Sequence, residues 1–453
     1  MSGMKPCRGC FAEMDEEDEK CYKCGWRIGN TFPREHRFQM GEVLQKRYLV
    51  GNLYYVSEEK DITVYYFYDN LLSIPCMALI RSKKEEKDYI EIARRMEASK
   101  KGREGKLVIL GLKKLKDTYV LLFSMENRYM ATEVFEGCLE YEAKEKTTDK
   151  GEAVTISGLK QILPMGTILD ERYQIRDCLG IGGFGITYLC RDLTLQREVA
   201  VKEYFPDKWA ERDDNFVAVR QSKLLRAYQF GMRSFLKEIT IAAKFIHTPH
   251  MVSVYDAFAE NDSIYLVMEY VDGISIGKLM KESGYRPMEL PEMAKIMLPV
   301  LDVLEAMHDR QIVHSDISPG NIMYAGEGQV YLIDMGAAKY MAEREPTLSA
   351  IFLKLEYAAP EQYRTAVEHK PAGEGPWTDI YALGATMYYM LTGQKPTDVI
   401  NRMNGTDEKL TQSLEGKLPE EWIVFLQEVM ALDKEKRIRS IPELRKRMKK
   451  LLK

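Results

Sequence analysis

Four cysteines near the start of the chain have the spacing of a metal site. They form two Cys-x2-Cys pairs with ten residues between them: Cys7, Cys10, Cys21 and Cys24. Two such pairs on tight turns can supply the four-sulfur tetrahedral shell that zinc prefers. A closed shell of this kind leaves no open coordination position, which indicates a structural rather than a catalytic zinc. Four unrelated reduced thiols are the alternative interpretation.

Residues 1–30, which contain these cysteines, are too few to bury a hydrophobic core. Metal binding would therefore supply most of their folding free energy, and the segment resembles a small zinc ribbon. The chain starts without the apolar stretch of a signal peptide. We therefore expect a cytoplasmic protein whose cysteines stay reduced.

Composition and charge exclude several classes of protein. Hydrophobic residues make up 45% of the chain and charged residues 30%, which is typical of a soluble globular protein. The formal net charge is −4, so no bulk attraction to nucleic acid or to an anionic membrane is indicated. The longest apolar runs are far shorter than the roughly 18 residues of a membrane helix. We expect neither a membrane segment nor a nucleic-acid partner.

A glycine-rich stretch opens the part of the chain that could act on phosphates. Gly180, Gly182 and Gly185 form the pattern G-x-G-x-x-G, and glycines let backbone amides approach phosphate oxygens. A dinucleotide-binding turn has the same pattern but needs a helix directly after it. Here residues 186–205 alternate in polarity and predict two strands. A glycine hairpin followed by "VAVK" is the arrangement found in protein kinases.

Further kinase motifs follow in the order that the family requires. They are Lys202 in "VAVK", Glu238 on a helical segment, Met268 before a hinge, Asp316 and Asn321 in "HSDISPGN", Asp334 in "DMG", Glu361 in "AAPEQY", Asp379 on an apolar helix, and Arg437. Residues 166–453 therefore resemble a eukaryotic-like serine/threonine protein kinase of the bacterial branch. The resemblance implies the α+β, bilobal protein-kinase fold.

The same resemblance implies a role for each matching catalytic residue. Asp316 would orient the substrate hydroxyl and accept its proton. Lys202, aimed by Glu238, would pair with the α- and β-phosphates of ATP. Asn321 and Asp334 would hold Mg²⁺ against the phosphate oxygens, since that ion prefers hard oxygen ligands.

The resemblance also implies the residues that bind the rest of ATP. The glycine hairpin would cover its phosphates, three apolar or β-branched side chains would line the adenine pocket, and two hinge residues would bond the adenine edge through their backbones. These residues are Gly180, Gly182, Gly183, Phe184 and Gly185 for the hairpin, Leu179, Thr187 and Ala200 for the pocket, and Glu269 and Val271 for the hinge.

Two departures from the family pattern affect the chemistry. Ser315 replaces the arginine that usually meets a phosphorylated activation loop, which puts switching through Thr347 or Ser349 in doubt. Ser318 replaces the lysine that usually contacts the γ-phosphate. The charge of the transition state must then be met by another group, or turnover is slower. The segment 203–233 is longer than usual, and the sequence predicts no role for it.

A ten-residue phrase occurs twice: "GEVLQKRYLV" at residues 41–50 and "GTILDERYQI" at residues 166–175. After each copy the same order of three strands, one helix and two strands is predicted. Residues 41–138 therefore resemble a second, degenerate kinase N-lobe, with one glycine in its loop and Ile80 where lysine is needed. An unrelated small α+β domain is the alternative. Residues 139–165 are predicted to be a charged linker.

We therefore expect a protein kinase that transfers the γ-phosphate of MgATP to Ser or Thr hydroxyls of protein substrates, with possible protein docking through residues 1–138. A pseudokinase scaffold is an alternative, but the motif residues named above are intact. A small-molecule phosphotransferase is another, but "AAPEQY" and Arg437 belong to a peptide-binding platform. ATP, Mg²⁺ and a structural Zn²⁺ are the expected cofactors.

Overall fold

The computed structural model of the chain divides into two compact units. Its described residues are 4–7, 10–11, 13–15, 18, 21, 37–57, 61–81, 86–98, 107–125, 161–335, 338–341, 353–368, 373–405 and 414–453. Unit 1 comprises Met1–Tyr228, Ala242–His247 and Ser253–Tyr270, and unit 2 comprises Gln229–Ile241, Thr248–Val252 and Val271–Lys453. Among the described helices, none combines the length and hydrophobicity needed to cross a bilayer.

The first sheet of unit 1 has six strands and one helix, rich in the β-branched and aromatic residues that favour strands. The elements are β3 (Val43–Leu44), β4 (Tyr48–Ser57), β5 (Ile62–Asp69), β6 (Ile74–Ile80), α1 (Glu86–Ala98), β7 (Leu107–Leu115) and β8 (Thr118–Met125). The strand order is β3-β4-β5-β6-β8-β7. Helix α1 buries Tyr89, Ile92, Ala93 and Met96, the spacing of one helical face. The three strands, one helix and two strands predicted after the first phrase are present in that order.

The second sheet of unit 1 repeats this arrangement. Its strands are β9 (Ile168–Leu169), β10 (Tyr173–Ile181), β11 (Gly185–Asp192), β12 (Arg197–Tyr204), β15 (Val254–Glu260) and β16 (Ser263–Glu269). Their order is β9-β10-β11-β12-β16-β15, the same order as in the first sheet. Helix α2 (Leu225–Ala243) follows β12 after the segment 205–224, and its residues Gln229–Ile241 belong to unit 2.

Two smaller strand pairs complete unit 1. Near the N-terminus, β1 (Met4–Pro6) pairs with β2 (Glu13–Asp15), and Met14 joins the hydrophobic core beneath the first sheet. The segment 203–233, for which the sequence predicted no role, contains the hairpin of β13 (Ala210–Asp213) and β14 (Phe216–Val219).

The repeated phrase begins with the same turn in both copies. Gly41 and Gly166 have φ of +84° and +88°, a region in which side chains other than glycine are strained. The amide of Gly41 donates to the carbonyl of Val50, and that of Gly166 to the carbonyl of Ile175, each at 2.9 Å. The glycine of the phrase is therefore explained by its backbone conformation.

The arginine of the phrase makes the same ion pair in both copies. Arg47 bonds both carboxylate oxygens of Asp69, and Arg172 bonds both oxygens of Asp192. Each carboxylate also accepts two backbone amides of the turn that follows it. A bidentate arginine and two amides satisfy a buried carboxylate well, so both copies keep the pair that fixes the start of the sheet.

Within unit 1 the two sheets meet at a buried carboxylate, Asp256 on β15. Its oxygens lie 2.8 Å from Arg47 and 2.9 Å from Lys113, and Arg172 lies 3.8 Å away. Burial alone would raise the pKa of Asp256, but these cations together hold it well below its usual range. Elsewhere Ser124 bonds His247 at 2.8 Å. The sheets are joined by buried polar contacts as well as by packing.

Unit 2 is mainly helical. Its elements are β17 (Gly273–Ser275), α3 (Ile276–Glu282), α4 (Leu290–Asp309), β18 (Ile312–Val313), β19 (Ile322–Ala325), β20 (Val330–Leu332), β21 (Lys339–Tyr340), α5 (Pro360–Glu368), α6 (Pro376–Thr392), α7 (Val399–Met403), α8 (Glu420–Val429) and α9 (Ile441–Leu451). Helix α6 is buried from Thr378 to Thr392, so it forms the centre of the unit against α4 and α8. Strand β18 pairs with β21, and β19 lies between β17 and β20.

Asp256→Asn should lower the free energy of unfolding by about 3 kcal/mol, because three cations would lose their buried counter-charge. Urea unfolding of the full chain measures this. Glu435→Gln is the matched control: it breaks an exposed pair with Arg439, and such pairs contribute about 1 kcal/mol or less. Equal effects of the two substitutions would contradict the assigned role of Asp256.

The pH dependence of the free energy of unfolding gives a second test with Asp256→Asn. The pKa of Asp256 is lower in the folded chain than the unfolded value of about 3.9, so its contribution to stability is complete above that value and is lost as pH falls below it. The difference in stability between wild type and Asp256→Asn should therefore shrink as the pH is lowered from 5 to 3.

Candidate active site

The loop that joins β18 to β19 is fixed by one buried carboxylate. Asp379 on α6 accepts the amide of Ser315 at 2.8 Å and the amide of His314 at 2.9 Å. His308 on α4 donates to the same carboxylate at 2.8 Å. Burial alone would raise the pKa of Asp379, but the His308 bond and the nearby charges lower it below its usual value. Asp379 therefore braces the loop.

The brace supports an unfavourable backbone conformation. Ser315 has φ of +64°, a left-handed conformation that costs a residue with a side chain about 1–2 kcal/mol. Hydrogen bonds from two backbone amides to the ionised Asp379 stabilise this conformation. Gln362 adds a third tie, because its side-chain amide donates to the carbonyl of Ser315 at 2.7 Å. The loop therefore presents the next residue, Asp316, from a fixed backbone.

Asp316 and Asn321, which the sequence placed in one motif, contact each other. The side-chain amide of Asn321 donates to the carbonyl and to Oδ2 of Asp316, both at 2.8 Å. The carbonyl of Asn321 accepts the amide of Ile333, which leads to Asp334 after β20. The Asp334 and Asp316 carboxylates both act electrostatically on His314. Unit 2 thus brings Asp316 and Asn321 into contact and bonds the backbone next to Asp334 to Asn321.

His314 is a buried neutral support for this loop. Its side chain is fully buried, and its Nδ1 accepts the amide of Asp316 at 3.3 Å. Burial lowers the pKa of His314 below its ordinary value, because it penalises the charged form. The ring is therefore neutral near pH 7.

Lys354 is a member of the site that the sequence did not predict. Its Nζ lies 2.9 Å from Oδ2 of Asp316 and 3.0 Å from Oγ of Ser318. A lysine was expected at position 318, and Ser318 stands there instead. The missing cation of the loop is thus supplied from a segment 36 residues later. The serine at 318 was the one signal that could have prompted a search for it.

The "AAPEQY" segment is held by a buried ion pair. Arg437 lies 2.8 Å from Glu361, and both side chains are almost completely buried. Thr378 also donates to Glu361. Two residues named separately among the sequence motifs thus form one buried ion pair.

The glycine hairpin and the lysine strand belong to unit 1. Strands β10 and β11 pair up to Ile181 and Ile186, and the amide of Gly182 donates to the carbonyl of Gly185 at 2.8 Å. A Cβ at Gly185 would lie 2.3 Å from the carbonyl oxygen of Glu203, so packing against β12 already requires glycine there. The predicted phosphate-binding turn is therefore a tight hairpin, and Gly185 has a structural reason of its own.

The other residues predicted to bind ATP lie on β10, β11, β12, β16 and α2, in the hairpin, or at the start of a segment of unit 2. Lys202 pairs with Thr187 and with Leu266, and Ala200 lies two residues before it on β12. Leu179 is largely exposed on β10. The amide of Glu269 donates to Ser253, so a bond to adenine would have to use its carbonyl. Gly180, Gly183 and Phe184 lie in or beside the hairpin, Glu238 lies on α2, and Val271 begins the last segment of unit 2.

The hairpin of segment 203–233 is anchored next to Lys202. Arg212 on β13 lies 2.6 Å from the buried carboxylate of Glu203, which also accepts the hydroxyls of Tyr188 and Tyr265. This network fixes the residue that follows Lys202 on β12. In the sequence, the indication of this network was a glutamate inside an apolar strand.

The pairing register of the strands identifies the residue of the first sheet that corresponds to Lys202 of the second sheet. Asp69 pairs with Ile74 as Asp192 pairs with Arg197, which equates Leu79, rather than Ile80, with Lys202. The sequence offset was therefore wrong by one residue, because the spacing between phrase and strand differs in the two copies. The conclusion that no lysine stands there is unchanged.

Three of the four predicted zinc ligands lie together. The sulfurs of Cys7, Cys10 and Cys21 are within 4.8 Å of one another and are buried. Those of Cys10 and Cys21 are 3.8 Å apart, and a tetrahedral zinc with bonds of about 2.3 Å requires sulfurs about 3.8 Å apart. Cys24 lies outside the described residues, as do Thr347 and Ser349 of the activation segment.

Comparison with known proteins gives a family match. The model of the family described as "Protein kinase domain" matches residues 173–448. Serine/threonine-protein kinase PrkC of Bacillus subtilis is 32% identical over 235 residues, 52% of this chain and 32% of its own length. Serine/threonine-protein kinase PknB of Mycobacterium leprae is 32% identical over 235 residues, 50% of this chain and 33% of its own length. The chain thus spans about a third of these relatives.

A solved structure, "PpkA-294 apo form", is similar with a TM-score of 0.55 and 27% identity. The match covers 64% of this chain and 99% of that chain.

His314→Phe should weaken the acid sensitivity of the fold. The folded pKa of His314 is below the unfolded value of about 6.5, so the stability of the neutral ring is complete above that pH and is lost as pH falls through the folded pKa. Thermal unfolding of wild type between pH 8 and 5 should show this loss, and the variant should show less of it. His250→Asn, which retains His314 and tolerates the φ of +63° at that position, should behave as wild type. A wild-type pH profile in His314→Phe would contradict the assignment.

Proposed function

This chain belongs to the protein kinase domain family, and on that basis we propose that it transfers the γ-phosphate of MgATP to Ser or Thr hydroxyls of protein substrates. One observation carries the proposal: Asp379 fixes the loop on which Asp316 and Asn321 contact each other, and the amide of Ile333, next to Asp334, donates to the carbonyl of Asn321. Phosphoryl transfer depends mainly on positioning and charge neutralisation, and a fixed loop supplies the positioning.

In unit 2, Asp316 orients the substrate hydroxyl and takes its proton, while Asn321 and Asp334 offer the oxygen ligands that Mg²⁺ prefers. In unit 1, Lys202 meets phosphate oxygens of ATP. Glu203, held by Arg212 and two tyrosines, keeps the strand of Lys202 in register. The bound Mg²⁺ supplies neutralisation of phosphate charge.

The peptide-binding platform favours a protein substrate over a small molecule. Glu361 is buried against Arg437, and the neighbouring Gln362 is bonded to the catalytic loop. The segment that would receive a peptide is therefore tied to the residue that would act on it. The names of the relatives PrkC and PknB agree with Ser/Thr specificity.

Residues 41–138 are proposed to be a degenerate N-lobe that binds no ATP and serves as a docking or regulatory module. The identical strand order, the repeated Arg–Asp pair and the repeated glycine turn support this. Leu79 at the position of Lys202 leaves no cation for a phosphate. The contacts at Asp256 with Arg47 and Lys113 link the module to the sheet that carries Lys202.

Residues 1–30 are proposed to hold one structural zinc through Cys7, Cys10, Cys21 and Cys24. The spacing of the two buried sulfurs of Cys10 and Cys21 fits the geometry of zinc thiolates. Cys7, Cys10 and Cys21 belong to the core cluster beneath the first sheet, so the metal would stabilise the module it packs against.

Asp316→Asn should lower phosphate transfer to a protein substrate by about 10²- to 10⁴-fold, because the general base and the positioning group are lost. Lys202→Met should be damaged comparably. Asp309→Asn, an identical change at an exposed residue, is the control and should retain activity. Labelled ATP with Mg²⁺ and a generic protein substrate measures transfer.

Calorimetry with MgATP completes this test. Asp316→Asn should still bind one nucleotide per chain, since it does not remove the predicted ligands of ATP. Near-normal turnover of Asp316→Asn would defeat the proposed catalytic loop. Two nucleotides per chain would defeat the proposal that residues 41–138 bind none.

Purified protein should contain one zinc per chain, measured by elemental analysis. Cys10→Ser with Cys21→Ser should lose it, because both remove a thiolate ligand. Cys178→Ser changes a cysteine on β10, outside the cluster, and should retain the metal. Zinc-free wild type, or equal zinc in the double variant, would rule out the site.

A further inference from the structure

Lys354 occupies the position of a cation that the catalytic loop itself lacks. Its Nζ is shared between Oδ2 of Asp316 and Oγ of Ser318, at 2.9 and 3.0 Å. Ser318 is almost completely buried, whereas the side chain of Lys354 is 42% exposed and that of Asp316 is 29% exposed. The ammonium group is therefore held from the protein side by the serine and remains open to a ligand beside the aspartate.

The backbone that carries Lys354 is firmly placed. The carbonyl of Lys354 accepts the amides of Tyr357 and Ala358, at 2.8 and 2.9 Å. This turn leads directly into α5, which holds the buried pair of Glu361 with Arg437. A lysine on such a fixed backbone loses less conformational entropy when it is held in one position than a lysine on a free surface does.

We propose that Lys354 is a catalytic residue that neutralises the phosphoryl group in transfer, with Ser318 as its positioning residue. The inference rests on the proposed function and deepens it. In the step, the substrate oxygen bonds to the γ-phosphorus, the bond to the β,γ-bridging oxygen breaks, and ADP leaves. The hydroxyl proton passes to Asp316. Lys354, beside that carboxylate, faces the negative charge on the transferring oxygens.

The competing reading is that Lys354 only blocks Asp316 through an ion pair. An ion pair of this exposure is worth about 1 kcal/mol or less, so it would be a weak lock. An ion pair that only blocks Asp316 would not require the second contact of Lys354, with Ser318. Both contacts are explained if the ammonium group replaces the lysine that is absent at 318.

Two activity measurements and one binding measurement test this. Lys354→Ala should lower kcat by about 10²- to 10³-fold, the range for loss of one preorganised charge partner. Lys395→Ala is the control: it removes a lysine from an exposed pair with Glu356 and should leave kcat unchanged. The exchange variant Ser318→Lys with Lys354→Ser should recover at least tenfold over Lys354→Ser alone, because it restores the cation from the other side.

The binding measurement does not depend on turnover. If Lys354 meets the γ-phosphate, Lys354→Ala should lower the affinity for MgATP about tenfold, the effect of one charged hydrogen bond, and leave MgADP binding unchanged. Calorimetry on the full chain gives both affinities.

The outcomes separate the two proposals. Wild type without phosphate transfer defeats the proposed function, and the ratio of ATP to ADP affinity then still decides the role of Lys354. Active wild type with Lys354→Ala within threefold of it, or more active than it, overturns the inference. If the exchange variant fails to fold around the buried position 318, the single variants and the affinity ratio decide the matter.

Discussion

The catalytic loop depends on the ionised, buried carboxylate of Asp379. Two backbone amides and one imidazole N–H converge on it, and hydrogen bonds to a charged acceptor are worth about 1.5–3 kcal/mol each. Without it, the left-handed backbone at Ser315 would lose its compensation, and Asp316 would lose its direction. The contacts of Asn321 and Lys354 with Asp316 are useful only because this backbone is fixed. Burying one charge in the helical centre of unit 2 thus organises a site near its surface.

The two sheets of unit 1 use a related device. In each, a carboxylate at a strand end accepts hydrogen bonds from a bidentate arginine and two turn amides, and this explains why the arginine is present in both copies of the phrase. The groups that hold the sheet are therefore duplicated, while the lysine that would act on phosphate is present only in the second. The first sheet therefore keeps these scaffold groups without that lysine, and its Arg47 and Lys113 contact Asp256 of the second sheet.

The sequence was sufficient where the information is local. Strand and helix order in residues 47–125 followed from periodicity, and Asp316 with Asn321 followed from a motif whose members are five residues apart. The equivalence with Lys202 was misplaced by one residue because pairing register depends on turn length, which periodicity does not fix. Lys354 and the Arg212–Glu203 pair could not be predicted, since their partners meet only through tertiary packing.

The exchange at positions 318 and 354 changes what controls the site. In a loop that carries its own lysine, the cation is present whenever the loop is folded. Here the cation belongs to the activation segment, between Asp334 and Glu361, so it reaches Asp316 only when residues 354–358 adopt their turn. Ser315 gives a loop phosphate no arginine to meet. Given the proposed role of Lys354, control would act through the placement of a lysine rather than through the capture of a phosphate.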